Sequence, residues 1–151
     1  MSSSEASVLF DDLFTVDAID KDGKKFDRVS RLSATSSNFG MSLTLDYNVE
    51  LYPLRTGESF TFALASSLRK GGMTDAADKD ARDVWRPDGS SGLEEDYEYV
   101  MFGKVYKFDE GASEVVTAYA SFGGLLMALT GSYRHMQRIV IGENVYLLMR
   151  R

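Results

Sequence analysis

Few side chains in this 151-residue chain could do chemistry, and they are badly spaced for it. Asp11 and Asp12 are the first paired carboxylates, a combination that can hold a hard cation or share acid–base work. They are neighbours in a run that reads as a strand, so they point to opposite faces and do not converge. Glu94, Glu95 and Asp96 offer a second cation site, but a charge run beside a loop is usually just solvated. Ser67 and Lys70 match the S-x-x-K spacing of serine acylating enzymes. No S-D-N or K-T-G accompanies them, and they lie at a strand end, so the match reads as chance. His135 is the only histidine, and there is no cysteine. A transition-metal site or a histidine-based nucleophile relay therefore lacks its parts. P-loop, H-E-x-x-H and nucleophile-elbow patterns are also missing. The expectation is a chain with no catalytic residues, no metal, no cofactor and no small-molecule substrate.

Binding chemistry is better represented. Lys21, Lys24, Lys25, Arg28 and Arg31 cluster around Phe26. A basic strand edge carrying an aromatic is one way to hold single-stranded nucleic acid. Asp20, Asp22 and Asp27 dilute the cluster, and the whole chain carries a net charge of −6. Nucleic-acid affinity comes largely from phosphate neutralisation, so an acidic chain is a poor general binder. The competing reading is a hairpin end with screened surface charge.

The elements that would position these residues are strands. Val8 to Ile19 is the first strand-like run, with Val8, Phe10, Phe14 and Val16 on one face. Met41 to Leu51 alternates apolar and polar without a miss until Pro53 stops it, which predicts one long strand with a wet face. Ser59 to Leu68 repeats the pattern, and the two runs are expected to form a hairpin. Residues 1–7 read as a frayed tail. Residues 69–95 hold too little apolar surface to offset their ordering entropy and read as a long mobile loop, with Trp85 as an anchor either for the loop or for a partner. Ile139 to Ile141 and Asn144 to Met149 supply a closing strand. The sum is about eight strands in one all-β domain, residues 1–151. No apolar run approaches the ~20 residues of a membrane helix, and the first residues carry no secretory pattern.

The longest apolar stretch is Asp96 to Phe108, Asp-Tyr-Glu-Tyr-Val-Met-Phe-Gly-Lys-Val-Tyr-Lys-Phe, followed by Val115 to Gly131. Apolar side chains fall on both parities. Both strand faces must meet something apolar, which suits a side-chain-filled antiparallel closed barrel that also docks on another protein. Gly103 and the pair Gly123-Gly124 mark bulges, tight bends or close backbone approaches. Tyr97, Tyr99, Phe122, Leu125 and Met127, with the glycine pair, are candidates for the docking face. The alternative is that all five apolar residues fill the barrel.

Those two stretches resemble the signature of the small subunit, numbered eight, shared by eukaryotic nuclear RNA polymerases I, II and III. Leu9 to Phe14, Gly23 to Leu32 and Val145 to Arg151 agree with the same family. The resemblance implies a barrel built around an oligonucleotide-binding (OB) fold. It also implies a non-catalytic structural subunit in the nucleus, including the nucleolus through polymerase I. Its partner would be the largest subunit, away from the catalytic magnesium, with weak single-stranded DNA binding as a possible side property of the fold and no membrane partner.

Overall fold

The computed structural model describes residues 7–23, 27–68 and 92–151. Eight strands form a closed antiparallel barrel: β1 (Val8–Ile19), β2 (Val29–Ser36), β3 (Ser42–Asn48), β4 (Ser59–Ala65), β5 (Tyr99–Glu110), β6 (Val115–Phe122), β7 (Leu125–Ser132) and β8 (Asn144–Arg150). Around the barrel they run β1-β2-β3-β7-β6-β5-β8-β4, and β4 pairs with β1. The all-β closed barrel expected from the periodicity is present.

Two long strands turn its corners. The first half of β1 pairs with β4 and the second half with β2, with register shifts between Val8 and Phe10 and between Val16 and Ala18. In β5, Tyr99 to Lys104 pair with β8 and Lys104 to Glu110 with β6, with a shift between Val105 and Lys107. Such bulges increase twist and let one strand serve two neighbours. Gly103 sits where β5 and β6 approach closely. A Cβ there would overlap the Ser121 carbonyl oxygen and the Phe122 ring.

The lumen is packed. Phe10, Phe14, Phe60 and Phe62 form a ring cluster, with Phe14 edge-on to Phe62 at 5.5 Å and stacked on Phe60 at 6.1 Å. Leu32, Leu43, Leu45, Tyr47, Met127, Leu129, Val145, Leu147 and Met149 complete the filling.

Four expectations need correction. β3 and β4 are not a hairpin: β3 lies between β2 and β7, and β4 between β1 and β8. The connection 49–58 instead crosses one end of the barrel. β3 also stops at Asn48 rather than Leu51. The Asn48 side-chain oxygen accepts from the Glu50 and Leu51 N–H groups at 3.0 and 3.1 Å, and this local bonding replaces the ladder. Residues 139–141 are a loop, with Ile139 buried and Val140 and Ile141 exposed. The end of the expected mobile loop is ordered: Leu93–Asp96 forms a 3-10 turn. Its Leu93 is buried against Val8, Ala63, Ala65 and Leu148 on the outside of the barrel. Residues 69–91, including Lys70 and Trp85, and residues 1–6 lie outside the described residues.

Candidate docking surfaces

The barrel sorts the candidates by strand parity. Tyr99, Phe122 and Met127 point inward and are 8%, 5% and 1% exposed. They fill the lumen and offer no outer surface in this barrel. The Tyr99 hydroxyl accepts from the Asn48 N–H at 2.9 Å and donates to Met101 Sδ at 3.4 Å, and burial raises its pKa. Tyr47, also in the lumen, is pushed up to about 12 by burial, so it stays protonated at neutral pH. Leu125 is half-buried against the core. Tyr97 lies outside, half-buried beside the Val8–Leu148 cluster, with the Arg150 guanidinium 5.0 Å from its ring centroid.

Gly123 and Gly124 form the exposed two-residue turn between β6 and β7. Their φ values are +67° and +101°. A tight hairpin of this twist needs left-handed backbone at both positions, which is why glycine stands there. Of the alternatives raised for the pair, this is the tight bend. No heavy atom lies within 4 Å of a Cβ built at either, so the tip is open to a partner. Leu126, 41% exposed, is the next outward residue.

Phe102 was not among the sequence candidates. It is 54% exposed on the outer face of β5, and its ring lies 4.8 Å from that of Tyr146 on β8. Tyr106 and Tyr119 continue the aromatic surface at 6.2 Å. Lys104, two residues from Phe102 and exposed, was a sequence signal that this parity faces outward.

The basic cluster is largely neutralised where it is described. Arg28 pairs with Glu50 at 3.5 Å, both exposed. Arg31 Nε and Nη2 donate to the two oxygens of Asp46 at 2.6 and 3.0 Å. Lys21 is exposed, while Lys24, Lys25 and Phe26 lie outside the described residues. Asp20, Lys21, Ser30, Arg31, Ser33 and Asp46 line a cleft of about 70 Å³. That volume suits about two waters and falls far short of a nucleotide pocket.

Asp11 and Asp12 face opposite ways, as strand geometry requires: Asp11 is exposed and Asp12 is 6% exposed. Asp12 accepts from Asn38 Nδ2 at 2.7 Å and from the Leu13 N–H at 2.8 Å. Glu94, Glu95 and Asp96 are all exposed on their 3-10 turn. His135 is half-buried, its ring stacked on Phe39 at 4.1 Å. Among the described residues, no three histidine or carboxylate side chains gather in reach of one metal ion.

A family model described as RNA polymerase Rpb8 matches residues 11–151. The chain belongs to the RNA polymerase Rpb8 family. It is 43% identical over 149 residues to the DNA-directed RNA polymerases I, II, and III subunit RPABC3 of Saccharomyces cerevisiae, covering 97% of this chain and 99% of that one. The Schizosaccharomyces pombe protein of the same name is 41% identical over 145 residues, covering 96% and 98%. The DNA-directed RNA polymerases II, IV and V subunit 8B of Arabidopsis thaliana is 41% identical over 146 residues, covering 95% and 96%. On the outside of this Rpb8-family barrel, the β6–β7 tip is open and the Phe102 and Tyr146 rings lie together.

Proposed function

We propose that this chain is a non-catalytic subunit common to nuclear RNA polymerases I, II and III, docked on the largest subunit and supporting DNA-templated transcription. The observation that carries this reading is the Rpb8-family match across residues 11–151. The name of the Saccharomyces cerevisiae relative supports assembly with all three polymerases, and so a location in the nucleus and nucleolus. The filled lumen supports a scaffold role, since substrate pockets are concave and hollow. We place the docking site at the β6–β7 tip, Gly123 and Gly124, with Leu125 and Leu126 behind it and the Phe102–Tyr146 surface as its apolar extension. Permanent interfaces are large and more apolar than ordinary surface, and Phe102 and Leu126 are exposed apolar side chains beside the turn. A weak single-stranded nucleic-acid role gains little from Arg31, whose guanidinium is held by both oxygens of Asp46.

The test is recovery of the largest subunit with tagged chain from nuclear extract. A Gly123→Val, Gly124→Val chain forces β-branched residues into left-handed backbone and is expected to lose the partner. A Gly123→Asn chain keeps the turn, because asparagine followed by glycine suits this backbone, and alters only the tip surface. Loss of recovery in both, with the barrel intact by near-ultraviolet circular dichroism, supports a tip contact. Normal recovery with both removes the hairpin from the interface.

A further inference from the structure

The β3–β7 ladder stops short of the hairpin tip, leaving Leu125 and Leu126 of β7 without a backbone pair on β3. Its last backbone pair is Leu45 with Met127. The next residues would be Asp46 and Leu126. There the Asp46 carboxylate takes over: its Oδ2 accepts the Leu126 N–H at 3.0 Å. Asp46 is 7% exposed although it stands on the outer parity of β3. Its aim is fixed by Arg31 on β2, whose guanidinium grips both carboxylate oxygens. Arg31 is held in turn by Asp20, which has a left-handed φ of +53°. The Asp20 side chain accepts from the Arg31 N–H at 2.9 Å and from Ser30 Oγ at 2.8 Å, and its N–H donates to the Arg31 carbonyl at 2.8 Å. A polar chain thus runs from the β1–β2 turn through β2 and β3 to the base of the β6–β7 hairpin.

Arg31 was a nucleic-acid candidate, and Asp46 reads in sequence as an ordinary wet-face residue. The geometry gives both another task. We propose that Arg31 and Asp46 are positioning residues that set the angle of the β6–β7 hairpin on the barrel, and so the presentation of Gly123 and Gly124 to the polymerase partner. The statement about presentation rests on the docking reading above; the statement about the hairpin does not.

Two arms keep these apart. The first is amide hydrogen exchange at Leu126, compared with Met127, in the isolated chain. Asp46→Ala removes the acceptor, and exchange at Leu126 is expected to quicken about tenfold, the worth of one such bond, while Met127 stays protected. Asp46→Asn keeps one side-chain oxygen for the Leu126 N–H but sets its NH2 against a guanidinium donor, so it is expected to restore part of the protection at Leu126, which a residue with a general stability role would not do selectively. If Asp46→Ala does not fold, Arg31→Gln is read instead, with an intermediate quickening expected. Unchanged exchange at Leu126, or equal quickening at both amides, overturns the proposal. The second arm is recovery of the largest subunit from nuclear extract. Reduced recovery with Asp46→Ala and partly restored recovery with Asp46→Asn support presentation. Quickened exchange with normal recovery upholds the brace and overturns its link to docking.

Discussion

The outside of this barrel has two flanks built by different physics. Across β5, β8 and β4 the outer faces carry a contiguous apolar group, Val100, Phe102, Tyr146, Leu148, Ala63 and Ala65. Leu93, Leu68 and Tyr97 fold over part of them, and Leu148 is left with no exposure at all. Across β1, β2, β3, β7 and β6 several outer groups are joined strand to strand by polar bonds. Thr35 donates to Asp17 at 2.6 Å, Arg31 grips Asp46, and the Thr117 and Thr130 hydroxyls lie 2.8 Å apart. Apolar burial is non-directional and scales with area, so it covers a surface without dictating register. Hydrogen bonds demand distance and angle, so the polar flank fixes where each strand lies against the next. One flank supplies adhesion and the other alignment.

The comparison breaks most readily on the apolar side. If the Leu93 cover is a true second core, Leu148→Ala costs about 3 kcal/mol, the usual loss for a fully buried leucine. Leu147→Ala, its inward neighbour with equal burial, should cost about the same. Urea unfolding of both variants checks this. A loss below about 1 kcal/mol for Leu148→Ala beside a full loss for Leu147→Ala would show a loosely laid cover.

The polar side predicts a smaller loss and a different signature. Arg31→Met leaves the Asp46 carboxylate with the Leu126 N–H as its remaining bond among those described. Half of the Arg31 side chain is exposed, so solvent screening limits the loss to about 1–2 kcal/mol. Adding Asp46→Leu removes the stranded charge. The double variant should then recover part of the first loss, as apolar replacement of an ion pair often does. Strict additivity of the two substitutions in a double-mutant cycle would deny the pair its coupling.

The two flanks were not equally legible in the sequence. Apolar content on both parities of Tyr97 to Phe108 announced an outer apolar surface, and Gly123-Gly124 announced a bulge, a tight bend or a close approach. Which parity faced inward was less plain. Tyr99, Phe122 and Met127 look as exposed as Phe102 until the lumen is seen, and Glu98 and Lys104 marked the outer face. β2 was hidden, because its inward residues are Ser30, Leu32, Ala34 and Ser36, with a single large apolar side chain. The seams β3–β7 and β4–β8 join residues some eighty apart, as the Asp46–Leu126 bond does, and no local pattern encodes them. Asp46 was misjudged for the same reason. Its partner Arg31 lies directly opposite only in a register that the fold supplies.

The smallest expected effect lies where the flanks are tied together. The 49–58 connection leaves β3 on the polar flank and enters β4 on the apolar one. Tyr52 within it stacks on Tyr99 at 5.4 Å, and the Arg151 guanidinium covers its ring at 4.7 Å. Arg151 Nη1 donates to the Pro53 carbonyl at 2.9 Å, and the Tyr52 hydroxyl donates to Glu98 Oε1 at 2.6 Å. The Tyr52 hydroxyl holds the Glu98 carboxyl below the usual carboxylate range, with the Arg151 backbone N–H helping. A carboxyl depressed in the folded state stabilises above its unfolded pKa, roughly 4.3, and that contribution fades as pH falls through the lower folded value. Tyr52→Phe keeps the ring stack and removes the bond to an exposed carboxylate, so the loss at pH 6 should be no more than about 1 kcal/mol. The gap between wild type and variant should be narrower at pH 3 than at pH 6, because the unfolded chain takes up its proton first as pH falls. Urea midpoints at the two pH values measure it, and a gap of constant width would mean that ring packing alone holds the connection across the barrel end.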